Sequence, residues 1–234
     1  MKEKLKLENV TLLGVDCVNV ERLQKAMDIT QEYIDFGKVK LLSSTLETKD
    51  KRFVEIEHIA SIEEFSEFCI KDLYKYVDTE YVLLVQYDGF VLNPQSWSDE
   101  FLNYDYIGAP WYIKEEFWFE MFDIPRELEG KHVVGNGGFC LRSKKFLETS
   151  AKLAREGKFK KYHPEDLVMC VYDRHLLDEK GIKFAPYEVA KKFSIEGHDE
   201  TYTNQFGFHG YTWTDISKWI EENPQYGIKN QFIG

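Results

Sequence analysis

The sequence predicts an α/β fold in which a mostly parallel sheet is covered by helices on both sides. Three observations carry this. The runs VTLLGV (10–15) and YVLLV (81–85) are apolar without alternation, as strands buried on both faces must be. Between them lie two stretches of helical periodicity, so strand and helix alternate along the chain. The composition, 43% hydrophobic and 15% aromatic over 234 residues, belongs to a folded chain able to bury a substantial core.

Element by element, residues 10–15 are the first strand. Residues 20–36 form a helix with Leu23, Ala26, Met27, Thr30 and Ile34 on one side, and Gly37 stops it. KVKLLSS (38–44) is a second strand, and residues 53–59 alternate as a half-exposed third. Ser61-Ile-Glu-Glu64 is a capping box, in which serine and glutamate satisfy each other's orphan amides. The helix it opens places Ile62, Phe65, Cys69, Leu73 and Tyr76 on one face, and YVLLV follows. YDYIGAPW (104–111) is a strand or extended piece, and the aromatic-rich stretch 112–130 is a loop or an excursion from the main fold. HVVGNGGFCLRS (132–143) reads as a strand, a glycine turn and a strand leading to a helix capped by Ser143. Pro164 opens a helix at its first position that runs to about Lys180, with Gly181 as its stop. IKFAP (182–186) is a last strand, and the remainder, with Phe206-Gly-Phe-His-Gly210, crosses the surface.

Lys and Arg number 30 against 41 Asp and Glu, a formal charge of -11, which argues against nucleic acid as a partner. An anionic ligand would need local neutralisation, and a divalent cation supplies it economically. Cys17, Cys69, Cys140 and Cys170 contain no CxxC pair and read as reduced, partly buried thiols rather than a zinc site. The N-terminal apolar stretch is too short for a signal peptide, and no run reaches the length of a membrane span. The expectation is a soluble cytoplasmic protein of one domain.

In open parallel sheets, ligands bind outside the carboxyl ends of the strands, so Asp16, Ser43, Ser44 and Asp88 should cluster. Asp88, between a strand end and Gly89, is a turn-former or an oxygen ligand for Mg2+ or Mn2+. Gly135-Asn-Gly-Gly-Phe139 is neither a P-loop nor a dinucleotide fingerprint; it permits a tight turn or close approach of a ligand. In His163-Pro-Glu-Asp166 the acids suit a helix start and could also supply a general base. His209, between glycines, reads as a surface histidine, a loop hydrogen-bonder or a metal ligand.

Taken in order, QYDGF, YIGAPW, GNGGFCLRS, HPEDL and FGFHG resemble a family of bacterial and viral glycosyltransferase-like proteins, long labelled a domain of unknown function. That family is similar to the GT-A nucleotide-sugar transferases, and the resemblance spans roughly residues 9–212. It implies a GT-A-like, Rossmann-like fold with a nucleotide-binding half at about 9–92 and an acceptor and catalytic half at about 93–234. It implies a metal-binding acid at Asp88, a glycine-rich loop at 135–138, a catalytic base at Asp166 or Glu165, and a metal-binding histidine at His209. Where the family's motif has its first acid this chain has Gln86, which can hydrogen-bond a ribose or a metal-bound water but brings no charge.

The function implied is an inverting, Mn2+- or Mg2+-assisted hexosyltransferase, moving a sugar from a nucleoside diphosphate, UDP by expectation, to a hydroxyl of a glycan. The nucleoside would lie near Gly14, Asp16 and Ser44, the sugar against Gly137 and Gly138, and phosphate near Arg142, Lys191 and Lys192. Trp111 serves as an acceptor platform or as core packing, and Asn136 is assigned to the acceptor. By family analogy the acceptor is a surface polysaccharide or a lipid-linked glycan, reached by peripheral membrane association. A catalytically idle nucleotide- or glycan-binding domain and a metal-dependent phosphoesterase are the rival classes.

Overall fold

A computed structural model describes residues 4–45 and 49–229 of the chain. Its centre is a six-stranded sheet. β1 (Leu5–Val15) pairs in parallel with β2 (Ile34–Ser43) on one side and with β4 (Tyr81–Val85) on the other, and β3 (Phe53–Glu55) adds to β2. β8 (Phe139–Ser143) runs antiparallel to β4 and carries β5 (Tyr106–Ile107) at the edge. The order β3-β2-β1-β4-β8-β5 is therefore parallel over its first four strands, as the unbroken apolar runs require.

The two-residue pleat sorts the strand leucines between two cores. Leu13, Leu42 and Leu84 pack toward α2 (Ile62–Lys71), α4 (Lys144–Arg155) and the helical segment 165–178. Their neighbours Leu12, Leu41 and Leu83 pack toward α1 (Val20–Gln31) and α7 (Tyr187–Phe193). Each such buried side chain contributes about 1.5–3 kcal/mol, and a one-residue slip would exchange the two sets, so burial fixes the register.

Several expectations hold. Half of the capping box forms as expected, with Ser61 Oγ accepting from Glu64 N, while Glu64 Oε2 accepts from Ala60 N in place of the Ser61 amide. Ser143 caps α4 through Phe146 N at 3.0 Å. The four cysteines are free thiols.

Others are corrected. Gly37 is not a helix stop: α1 ends at Gln31, and Gly37 lies inside β2, where a Cβ would stand 1.9 Å from the Glu8 carbonyl oxygen. Ile34 therefore belongs to a strand. Ile62 is 58% exposed, because the face of α2 that packs is made by Ser66, Cys69 and Ile70. The third strand is only three residues long. Of the two readings of residues 112–130, the loop fails and the excursion holds. These residues form a subdomain in which β6 (Pro110–Ile113) pairs with β7 (Lys131–Val134) around α3 (Glu116–Phe122), on a small core of Trp111, Ile113, Phe119, Ile124 and Val133. The two strands flanking the glycine turn thus belong to different sheets. Pro164 caps rather than begins the short helix α5 (Glu165–Leu167), which passes through a wide turn, 168–172, into α6 (Arg174–Asp178). Residues 182–186 form no strand of their own; they lie along Asp105 and Tyr106 through an isolated bridge at Phe184, with Asp105 N donating to Lys183 O and Ala185 N to Tyr106 O. The last segment does not cross the surface. β9 (Ser194–Ile195), β10 (Gly207–Phe208) and α8 (Ser217–Glu222) bury Ile195, Phe208 and Trp219 against Phe90.

Candidate active site

The site begins where β4 ends. Gly89 N donates to Gln86 O at 3.2 Å, closing a turn, and Gln86 N is anchored on Gly138 O at 2.9 Å. The turn and metal readings of Asp88 are thus not exclusive, since the turn sets the direction of the carboxylate. Asp88 is only 7% exposed, and its Oδ1 has no aligned hydrogen-bond donor. The contact with His209 Nε2 at 3.4 Å is one of charge, too poorly aligned for a hydrogen bond. A buried carboxylate oxygen left in this condition costs about 1–3 kcal/mol or more unless something else binds it.

His209 is held by a carboxylate absent from the sequence reading. Glu196, at the end of β9, bonds His209 Nδ1 at 2.7 Å and accepts from the indole nitrogens of Trp111 at 2.5 Å and Trp213 at 3.3 Å. Burial opposes its charge, but His209 and the Trp111 indole outweigh burial and hold Glu196 below its ordinary range. Asn136 adds to this by proximity, although its Nδ2 makes no aligned hydrogen bond. For His209 burial again disfavours charge, yet Glu196 and then Asp88 raise it to about 10. The other ring nitrogen, Nε2, faces Gln86 Oε1 at 3.3 Å and Asp88. A carboxylate behind a histidine, fixing which nitrogen faces the site, is the arrangement that supports metal-binding imidazoles.

The glycine loop explains how these groups meet. A Cβ on Gly138 would stand 2.1 Å from His209 Nε2, and one on Gly137 2.2 Å from Glu165 Oε1. The close approach that the glycines permit is therefore made by side chains of the protein, which corrects their assignment to the sugar. Gly137 N donates to Asp166 Oδ2 at 3.0 Å, and Leu167 N donates to Oδ1 at 2.8 Å. Burial first, then the neighbouring Glu165 and Glu196, push Asp166 up to about 7. Asp166 is half-buried and faces a cavity of 530 Å³ walled by Trp111, Trp118 and Trp213.

Glu165 and Arg142 leave the site. Arg142 is 0% exposed and bonds Glu165 Oε1 at 2.8 Å, so neither the phosphate role expected of Arg142 nor a proton-accepting role for Glu165 survives. Gly14 is also reassigned, because a Cβ there would meet Leu23 Cδ1 at 2.6 Å; it lets α1 pack on the sheet. Lys191 pairs with Glu188 at 2.6 Å, and both Lys191 and Lys192 line a separate cavity of 480 Å³. Trp111 is both core and wall. Asn136 is buried with φ at 71°, its Oδ1 accepting from Phe139 N, so it shapes the loop from inside.

At the other strand ends, Asp16 is consumed locally: Oδ1 accepts from Val18 N and Asn19 N, and Oδ2 accepts from Arg22 Nε at 2.7 Å. Its effect is to place Arg22, whose guanidinium lies 3.9 Å from the centre of the Tyr87 ring and feels the charge of Asp88. Ser44 turns to His58 at 2.8 Å instead. Of the predicted cluster only Asp16 and Asp88 come together, joined by Arg22 and Tyr87; Ser43 is fully buried with its Oγ accepting from Thr45 N. Arg22 and Glu196 were the residues missed. Glu196 did carry a signal, an acid directly before a glycine, which is the pattern that singled out Asp88.

The model of a family described as a protein of unknown function (DUF5672) matches residues 49–209, more than half of the chain. No curated protein sequence matches. Among solved structures the chain is similar to an active-site mutant of LgtC, with a TM-score of 0.48 and 14% identity over 95% of this chain and 98% of that one. It is also similar to the mannosyltransferase PcManGT from Pyrobaculum calidifontis, solved with GDP-Man and Mn2+, with a TM-score of 0.41 and 12% identity over 77% of this chain and 55% of that one.

Proposed function

The chain belongs to the DUF5672 family, and for it we propose an inverting glycosyltransferase that moves a hexose from a nucleoside diphosphate, UDP in this reading, to a hydroxyl of a glycan. One observation carries the proposal. The Gly137-Gly138 turn holds Asp166 on its amide and His209 against its Cα, so a poised base and an orphaned metal-type acid, Asp88, flank a single loop.

The donor set fits a divalent cation. Asp88 Oδ1 is buried without a hydrogen bond, and His209 Nε2 and Gln86 Oε1 converge beside it. Mixed oxygen and imidazole ligation suits Mn2+ better than Mg2+. Such a cation, when bound, neutralises charge developing on a departing diphosphate. The protein offers only part of its coordination shell, since among the described residues no group of three or more His, Cys, Asp or Glu could hold a metal. Diphosphate oxygens would complete it. That count also disfavours a phosphoesterase working with two metals, which needs several converging carboxylates.

In the reaction the acceptor oxygen attacks the anomeric carbon, the bond from that carbon to the diphosphate oxygen breaks, and Asp166 takes the acceptor proton. A base near neutrality both accepts the proton readily and remains ionised at working pH. Asp166 faces the cavity, where an acceptor hydroxyl can reach it. Asp88, His209 and Gln86 bind on the donor side, and Arg22 and Tyr87 stand at the adjoining strand end. An idle binding domain would gain nothing from a buried carboxyl held near 7, whose ionisation works against folding.

The experiment is a calorimetric titration of UDP and GDP into the protein with Mn2+ and with EDTA. One nucleotide should bind only with Mn2+. His209 must give up its Nε2 proton to bind a metal, so at pH 7 about one proton should be released, and affinity should weaken up to about tenfold per pH unit on acidification. Nucleotide binding indifferent to EDTA and to pH would remove the metal role from Asp88 and His209.

A further inference from the structure

The cavity in front of Asp166 limits which acceptor can enter. Three tryptophans stand in its walls, with Trp111 and Trp118 5.6 Å apart between ring centres and Trp213 held by Glu196. The subdomain 110–134 supplies every aromatic ring of the lining but Trp213, and leaves Phe117 40% and Tyr112 43% exposed. Flat apolar rings take up the C–H faces of pyranose sugars, whereas carboxylates bind their hydroxyls.

The charges are lopsided. The cavity is lined by Glu115, Asp166, Glu196, Asp199 and Glu200, with Lys114 as the only lysine or arginine in the lining. Lys114 is already spent on Asp199 in an ion pair that ties the subdomain to the loop after β9. Glu115 and Glu200 have no basic partner within ion-pair distance among the described residues, and burial followed by Asp199 raises Glu200 above its ordinary range. His132 is occupied between the rings of Tyr112 and Tyr187 at 4.8 and 4.0 Å. An anionic sugar would bring its charge into this field with no guanidinium or ammonium free to meet it, and the half-buried Asp166, Glu196 and Glu200 are the acids least screened by solvent.

Resting on the transferase reading, we propose that the acceptor is a neutral or amino-bearing saccharide stacked on Trp118 and Trp213, and that Glu115 and Glu200 exclude uronate and other acidic sugars. These two acids are specificity residues and take no part in bond making.

Three of the five tryptophans of the chain line this cavity, so intrinsic fluorescence reports its occupancy directly. The test titrates the whole chain, without nucleotide, with three trisaccharides: a β-linked glucose trimer, a glucosamine trimer and a galacturonate trimer. The expected result is a saturable change with the glucose or glucosamine trimer and at least tenfold weaker binding of the galacturonate trimer in low salt. Trp118→Ala should weaken neutral binding at least tenfold. Because that change could disturb α3, Glu115→Gln with Glu200→Gln provides the second arm: it should tighten binding of the galacturonate trimer severalfold, with a smaller change for the glucose trimer, whose hydroxyls glutamine can still bond, so the gap narrows. Equal or tighter binding of galacturonate by the unaltered chain, an unchanged gap in the double variant, or a response to apolar alcohols and to no saccharide would each overturn the proposal. The nucleotide titration with Mn2+ tests the transferase reading separately, so the two can fail independently.

Discussion

Asp166→Asn should lower transfer about a hundred- to ten-thousandfold, the usual loss on removing a general base. The fold should remain. Asparagine keeps an acceptor for one of the two amides, Gly137 N or Leu167 N, and loses the other. Against that loss it removes a buried charge. A carboxyl raised to about 7 is more easily ionised in the unfolded chain, so its penalty on folding is absent below pH 4 and complete above pH 7. The two effects oppose one another, and a thermal melt at pH 8 should fall close to that of the unaltered protein. The native enzyme should show a kcat/KM that rises with pH through about 7 as Asp166 ionises, and that limb should vanish from the residual activity of the variant. Near-native transfer by Asp166→Asn would end its assignment as base.

The second large effect concerns stability. Arg142→Met removes the partner of Glu165 and leaves that carboxylate buried and unpaired, which costs about 3–5 kcal/mol. Urea denaturation would show it as a lower midpoint at unchanged slope. Adding Glu165→Leu should restore much of the loss, because replacing both members of a buried pair by apolar groups is far cheaper than removing one. If Arg142 instead touched donor phosphate, the variant would keep its midpoint and lose nucleotide affinity.

Arg142 also shows where reading a sequence reaches its limit. A cation four residues past a glycine loop resembles a phosphate contact when only the chain is visible. β8 lies between β4 and β5 with both faces covered, so a charge on it must find a buried partner, and the partner is 23 residues away. The parallel strands were legible because their neighbours Leu12 and Leu13, or Leu83 and Leu84, are both apolar and both buried. α2 was legible from its capping box. α7 was not, since its buried set of Val189, Ala190 and Phe193 spans less than two turns and begins after a proline. Gly37 misled because glycine ends helices more often than it marks a crowded strand. Asp88, Asp166 and His209 could each be picked out by local pattern. Their convergence, and the support from Glu196, depend on contacts between β9, β10 and the glycine loop that no local pattern encodes.

The most direct measurement is mass spectrometry of a neutral or amino trisaccharide incubated with the protein, Mn2+ and a set of UDP- and GDP-linked hexoses. The proposal predicts that one donor adds a single hexose to the trisaccharide, with one nucleoside diphosphate released per glycan extended, that EDTA abolishes the gain and that Asp166→Asn slows it at least about a hundredfold. Release of free sugar or phosphate with the trisaccharide unchanged for every donor would contradict it.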